Sequence, residues 1–217
     1  GFDIEESKAS NILHGKSYIK TIGSEIITKA LKTGNLDASS DMSRLKDMDA
    51  ILICVPTPID EYLAPNLSYV IDTCKMIFKY LKKGQLIILE STTYPGTTSD
   101  VVLPILESGG LKVGQDFFLA YSPEREDPGN INFSTTQIPK IVGADDSHSM
   151  SLSKKLYGEF VSEVIVVSSS STAEAVKITE NVFRAVNIAL VNELKVIFDK
   201  MDINIWEVIE GAKTKPF

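Results

Sequence analysis

Three polar groupings in this 217-residue chain have the residue types and spacing to do chemistry. The densest is Tyr121-Ser122-Pro123-Glu124-Arg125-Glu126-Asp127-Pro128-Gly129. It follows the apolar run Phe117-Phe118-Leu119-Ala120, which reads as a buried strand. Carboxylates and an arginine therefore gather at a strand's C-terminal end, the edge where parallel α/β sheets bind ligands. Pro123 and Pro128 stiffen the loop and aim Glu124 and Arg125. The competing reading is a solvated surface turn. The second grouping is Glu90-Ser91-Thr92-Thr93-Tyr94-Pro95-Gly96-Thr97-Thr98. Its strand exit ends in hydroxyls, turns at Pro-Gly and enters a helix that Thr97 or Thr98 could cap. Such a helix start offers N–H groups and a positive dipole end to an anion. Capping accounts for Thr97 and Thr98 but not for Ser91 and Thr92. The third grouping is Lys177 with Asn181, four apart and so on one helix face, with Arg184 continuing it. An ammonium and an amide side by side suit a developing oxyanion. An ordinary mixed surface stripe is the alternative, but the helix around them is otherwise apolar. A weaker fourth feature, Cys54-Val55-Pro56-Thr57-Pro58, places the Thr57 hydroxyl at another strand exit.

These residues need a scaffold, and the hydrophobic pattern supplies one. Apolar strand-length runs fall at 49–55, 85–89, 117–121, 140–142 and 163–167. Between them lie helical patterns at 5–14, 24–31, 67–81, 97–108 and 147–160. Gly15 and Gly34 close the first two helices, and Ser24 stands where it could cap the second. Fully apolar strands alternating with helices indicate an α/β fold, a doubly wound parallel sheet covered on both faces. After the serine run 168–171 the pattern changes. Ser171 and Glu174 have capping-box spacing. A long helix follows over 171–199, apolar nearly all round, which predicts burial between other elements or at a subunit interface. A short helix over 204–210 ends at Gly211.

Composition bounds the function. A formal net charge of -7 argues against non-specific binding to nucleic acid or anionic membranes. The longest apolar runs are strand-length, so no membrane span is expected. No basic-then-apolar leader is present, and a cytoplasmic location is expected. Cys54 and Cys74 sit in apolar strand and helix patterns and read as buried packing residues. With only His14 and His148, no zinc-ligand spacing exists and no metal site is expected.

Thr57 in Val-Pro-Thr-Pro, the Ser-Thr-Thr-Tyr-Pro-Gly-Thr-Thr turn, the Ser-Pro-Glu-Arg-Glu-Asp-Pro-Gly loop and Lys177 with Asn181 occur in one order. Together, over essentially the whole chain, they resemble the nucleotide-sugar 6-dehydrogenases. The wording of the two loops is most similar to the branch acting on UDP-N-acetylglucosamine. The resemblance implies a four-electron, NAD-dependent oxidation of a UDP-sugar C6 alcohol to a uronic acid, for surface polysaccharide synthesis. A cysteine of the family captures the aldehyde, and the resulting thioester is hydrolysed. It further implies that Asp3 holds the adenosine ribose, that Thr57 and Thr92 line the cofactor site, and that Thr92 lies near a catalytic water. Glu124 would assist water in hydrolysis, and Lys177 and Asn181 would stabilise oxyanions. Glu124, Arg125, Lys177 and Asn181 would also meet the substrate. A Rossmann-like NAD-binding domain over 1–168 and the start of a central domain over 171–217 are implied, with a homodimer formed through the long helix.

Three departures accompany the resemblance. Gly1-Phe2-Asp3-Ile4 matches the second strand, so the first strand and Gly-rich loop would lie before residue 1. The family's Gly-Gly-His-Cys nucleophile segment would follow residue 217. Pro128 stands where UDP-glucose dehydrogenases carry a second Glu. Alternative readings are a UDP-N-acetylmannosamine or UDP-glucose dehydrogenase, a 3-hydroxyacid or 6-phosphogluconate type dehydrogenase, and a non-catalytic remnant domain.

Overall fold

A computed structural model describes residues 1–126 and 137–216. The chain divides into two compact units, Gly1–Ala175 and Val176–Phe217. The first opens with helices α1 (Glu6–Leu13) and α2 (Ser24–Lys32). Strand β1 (Ala50–Ile53), helix α3 (Ser68–Tyr80) and strand β2 (Leu86–Leu89) follow. A π-helical turn, Thr98–Val102, leads into α4 (Leu103–Glu107) and then β3 (Phe118–Tyr121). Next come β4 (Lys140–Gly143), α5 (Ser147–Gly158), β5 (Val164–Val167) and the long helix α6 (Ser170–Lys200). Helix α7 (Ile205–Ala212) lies in the second unit.

The expected α/β architecture is present. Five strands form one sheet in the order β1-β2-β3-β4-β5. β1, β2 and β3 run parallel, as do β4 and β5. β2 buries all four of its residues, as a central strand should. Leu86, Ile88, Ala120 and Val142 from three strands pack with Tyr157 and Val161 into a buried cluster. Helix α3 buries Val70, Cys74 and Ile77, a helical spacing facing the sheet.

The sheet departs from the parallel expectation at one joint. β3 and β4 pair antiparallel, through Tyr121 and Gly143. A parallel return needs a crossover, usually a helix, and the sequence between these strands carries no helical pattern. Coverage is also less complete than expected: Leu52 in β1 and Ile165 and Val166 in β5 are exposed. Residues 1–4, expected as a strand tail, make only an isolated bridge from Phe2 to Ser39.

Several local expectations change. The N-cap of α2 is Gly23, and the Ser24 hydroxyl accepts the Ser17 N–H instead. Helix α7 continues through Gly211 to Ala212. Cys54 is exposed, not buried, because it follows the edge strand β1. The largest difference concerns α6. Its apolar residues Val182, Phe183, Val186, Ile188, Leu190 and Ile197 are exposed, Phe183 by 71%. The apolar composition predicted burial, whereas the structure leaves these residues exposed.

Candidate functional site

The C-terminal ends of β1, β2 and β3 converge, and hydroxyl groups join them. The Thr57 hydroxyl donates to the Thr92 carbonyl at 2.6 Å, which brings together the two threonines singled out from sequence. Ser91 donates to the carbonyls of Ile53 and Val55, at 3.3 and 2.8 Å. Its role is therefore to fasten β2 to β1. The buried Tyr121 hydroxyl donates to the Ser91 carbonyl at 3.2 Å, fastening β3 to β2. Burial pushes the Tyr121 phenol well above its ordinary range, so it remains a donor.

Glu124 stands at this edge in company that sequence reasoning missed. Lys140 Nζ lies 3.9 Å from Glu124 Oε2 and 3.2 Å from Glu90 Oε1. Glu90 and Lys140 are only 7% and 8% exposed. The Tyr157 hydroxyl also donates to Glu90, and the Lys140 ammonium sits 5.1 Å above the Tyr157 ring centroid. Burial, and next the Glu90 charge, hold the Tyr157 phenol protonated far above its ordinary range. Lys140 opens β4, and in a wholly parallel sheet a strand's first residue lies at the edge opposite the strand ends. The antiparallel joint reverses this. Continuing the Tyr121–Gly143 pairing by three residues sets Glu124 opposite Lys140. The Ser122 hydroxyl donating to the Ile141 carbonyl at 2.7 Å fits the same register. The available sequence signal was a lysine heading an otherwise apolar strand.

The helix start after the second grouping is not an open anion site. Glu174, fully buried, accepts the Gly96 N–H at 2.6 Å, the Thr98 N–H at 2.9 Å and the Thr98 hydroxyl at 2.7 Å. The chain thus supplies its own carboxylate to this dipole end. Burial raises the Glu174 carboxyl above its ordinary value, against the pull of these donors. The Thr97 hydroxyl donates back to the Tyr94 carbonyl and caps nothing. The Ser171–Glu174 capping box does not form, because Glu174 is engaged elsewhere. Asp145 tends the start of α6, accepting the Ser170 N–H at 3.2 Å and its hydroxyl at 2.5 Å. Gly143 lets α6 approach the sheet. A Cβ there would stand 2.1 Å from the Ser169 carbonyl oxygen.

The remaining candidates are dispersed. Asp3 Oδ1 accepts the Glu5 N–H at 2.9 Å, and Oδ2 meets Lys8 Nζ at 3.3 Å. Arg125 donates to the Pro139 carbonyl at 2.7 Å, so part of its guanidinium braces the loop. Asp127, Pro128 and Gly129 lie outside the described residues. Lys177 and Asn181 lie on α6 in the second unit, one helical turn apart. Neither cysteine has a nucleophile's setting. The exposed Cys54 has its sulfur desolvated, and with the Glu90 carboxylate at 3.9 Å its thiol is pushed up to about 11. Burial pushes Cys74 up to about 12. Among the described residues, no His/Cys/Asp/Glu cluster could hold a metal, and no helix is long and apolar enough to cross a membrane.

Comparison with known proteins adds the following. Residues 1–161 match the NAD binding domain of the UDP-glucose/GDP-mannose dehydrogenase family, and residues 171–217 match its central domain. The chain is 38% identical to Protein CapL of Staphylococcus aureus, over 99% of this chain and 50% of that protein. It is 35% identical to the UDP-N-acetyl-D-glucosamine 6-dehydrogenase of Pseudomonas aeruginosa, over 99% of this chain and 51% of that protein. The structure of a UDP-D-ManNAc dehydrogenase from Pyrococcus horikoshii superposes with a TM-score of 0.92 at 34% identity, covering 100% of this chain and 52% of that one. The chain spans about half the length of the curated relatives it matches.

Proposed function

The chain belongs to the UDP-glucose/GDP-mannose dehydrogenase family, and we propose that it forms part of an NAD-dependent UDP-sugar 6-dehydrogenase. The substrate is UDP-N-acetylglucosamine and the product its uronic acid. The observation that carries this reading is the convergence of Thr57, Thr92 and Glu124 at one sheet edge, in the order the family wording requires. The enzyme works in the cytoplasm, and two copies associate through the apolar face of α6.

The donor set fits the cofactor. Asp3 offers carboxylate oxygens that suit a ribose diol, and its Lys8 contact is partly exposed and so replaceable. Thr57 and Thr92 present a polar wall at the strand ends. Because Glu174 fills the nearby helix start, that start takes no cofactor phosphate. NAD, when bound, accepts one hydride in each of two successive oxidations. Lys177 and Asn181 hold the oxygen whose charge develops as the C6 alcohol loses its proton, and later that of the thiohemiacetal. Glu124 acts at the last stage, on a thioester of the sugar acid with an enzyme cysteine. It takes a proton from water as the water oxygen bonds to the acyl carbon. The carbon–sulfur bond breaks, the thiolate leaves and the carboxylate is released. Arg125 meets the substrate from the same loop.

Stoichiometry tests this. The full-length enzyme should form two NADH per UDP-N-acetylglucosamine, followed by absorbance, with a uronic acid as the sole sugar product. One NADH per substrate, or turnover of a 3-hydroxyacid instead, would remove the reading. The Pyrococcus relative favours UDP-N-acetylmannosamine as a second substrate reading, and parallel assays with the two sugars decide between them.

A further inference from the structure

We propose that Lys140 is a positioning residue for Glu124, and that Glu90 and Tyr157 exist to hold Lys140 in place. The inference rests on the assignment of Glu124 to thioester hydrolysis.

A lysine this deeply buried must be paired, and Glu90 alone would satisfy the charge at 3.2 Å. Glu90 is itself fixed: it directly follows the interior strand β2, and the buried Tyr157 hydroxyl donates to the same oxygen that Lys140 meets. The Tyr157 ring lies against the ammonium and limits where it can go. An ammonium has three N–H donors, so a locked Glu90 contact leaves others to aim. Glu124 Oε2 stands 3.9 Å away, on the far side of the register that the antiparallel joint creates. The other oxygen, Glu124 Oε1, accepts the Glu126 N–H at 2.6 Å. The carboxylate is therefore set from two directions, by its own loop and by Lys140, although its side chain remains 47% exposed. That exposure gives water access, while the Glu126 hydrogen bond and the nearby Lys140 charge bias where the carboxylate sits. Lys140 does not touch the substrate in this scheme. It determines where the base points.

The test uses the full-length enzyme and four variants: Glu124→Gln, Lys140→Met, Lys140→Arg and the pair Glu90→Gln/Lys140→Met. The paired variant leaves neither buried charge unpaired, so it guards against a simple folding failure of Lys140→Met. Each is mixed with UDP-N-acetylglucosamine and NAD, and the intact protein is weighed by mass spectrometry. Lys140→Met and the paired variant should trap the same covalent sugar adduct as Glu124→Gln. Their kcat should fall about 10²-fold, the scale of a catalytic group displaced by an ångström, and KM should fall with it because the thioester accumulates. Lys140→Arg should restore most of the turnover. If Glu124→Gln traps the adduct and the folded paired variant does not, Lys140 loses this role while the Glu124 assignment stands. If Glu124→Gln traps nothing and turns over normally, both fall together.

Discussion

In Gly1–Ala175, β2 buries every residue, and Glu90, Lys140 and Glu174 each meet partners of complementary charge or hydrogen-bonding sense. In Val176–Phe217, by contrast, Phe183, Val186, Leu190 and Ile197 stand in solvent along one helix. Buried charges in the first unit are costly unless satisfied, and for Glu90, Lys140 and Glu174 the chain itself supplies the partners. In the second unit the apolar groups of α6 stand exposed instead, a surface of the kind that marks an interaction site.

Glutamates on α6 offer the harshest trial of that contrast. Phe183 and Val186 are three apart on one helix face, and burying each in an interface is worth roughly 1.5–3 kcal/mol. Phe183→Glu with Val186→Glu should weaken self-association by at least about 4 kcal/mol, or more than roughly 10³-fold in Kd, since each residue occurs twice in a symmetric interface. Sedimentation equilibrium measures this, and a dimer of unchanged affinity would place the interface elsewhere. Within the first unit the largest effect should come from Glu174→Leu. It strands two N–H groups and a hydroxyl in a buried setting, at about 3 kcal/mol in a urea titration. A loss within about 0.5 kcal/mol, typical of a surface site, would mean that water replaces the carboxylate. Gly143→Ala should cost about 2 kcal/mol, since the new methyl meets the backbone of residue 169.

The smallest effect concerns reactivity. Cys54 is exposed and Cys74 buried, with thiols at about 11 and about 12. Only the thiolate reacts, so Cys54 alkylation should be slow at neutral pH and rise about tenfold per pH unit toward its pKa. Cys74 should react only on unfolding. Peptide mapping after timed alkylation separates the two, and rapid labelling of Cys54 at neutral pH would contradict its setting beside Glu90.

The strands were legible because apolar runs bounded by Pro and Gly carry their own signal, as in Ala50 to Ile53 and Leu86 to Leu89. So were Thr57 and Thr92, which lie at strand exits that local pattern defines. Lys140 and Glu174 were not legible as partners. Glu174 reaches Gly96 across 78 residues of sequence, and its local spacing from Ser171 mimics a capping box. Lys140 joins Glu124 only because the sheet reverses direction, a property of pairing that no single strand records. The exposure of α6 was not legible for a different reason: composition records that a helix is apolar, and the expected burial depends on neighbours that local sequence does not name.

The reversal between β3 and β4 also sets rules for how the sequence can change in length. Side chains along a strand alternate between faces, so a slip of one residue would turn Lys140 away and offer Glu124 an apolar or imino-acid neighbour, Ile141 or Pro139. Insertions between Tyr121 and Glu124 or between Lys140 and Gly143 would force such a slip. Those between the two paired segments could be taken up by the connection itself. Homologues should therefore vary in length inside that connection while keeping the spacing from Tyr121 to Glu124 and from Lys140 to Gly143 unchanged.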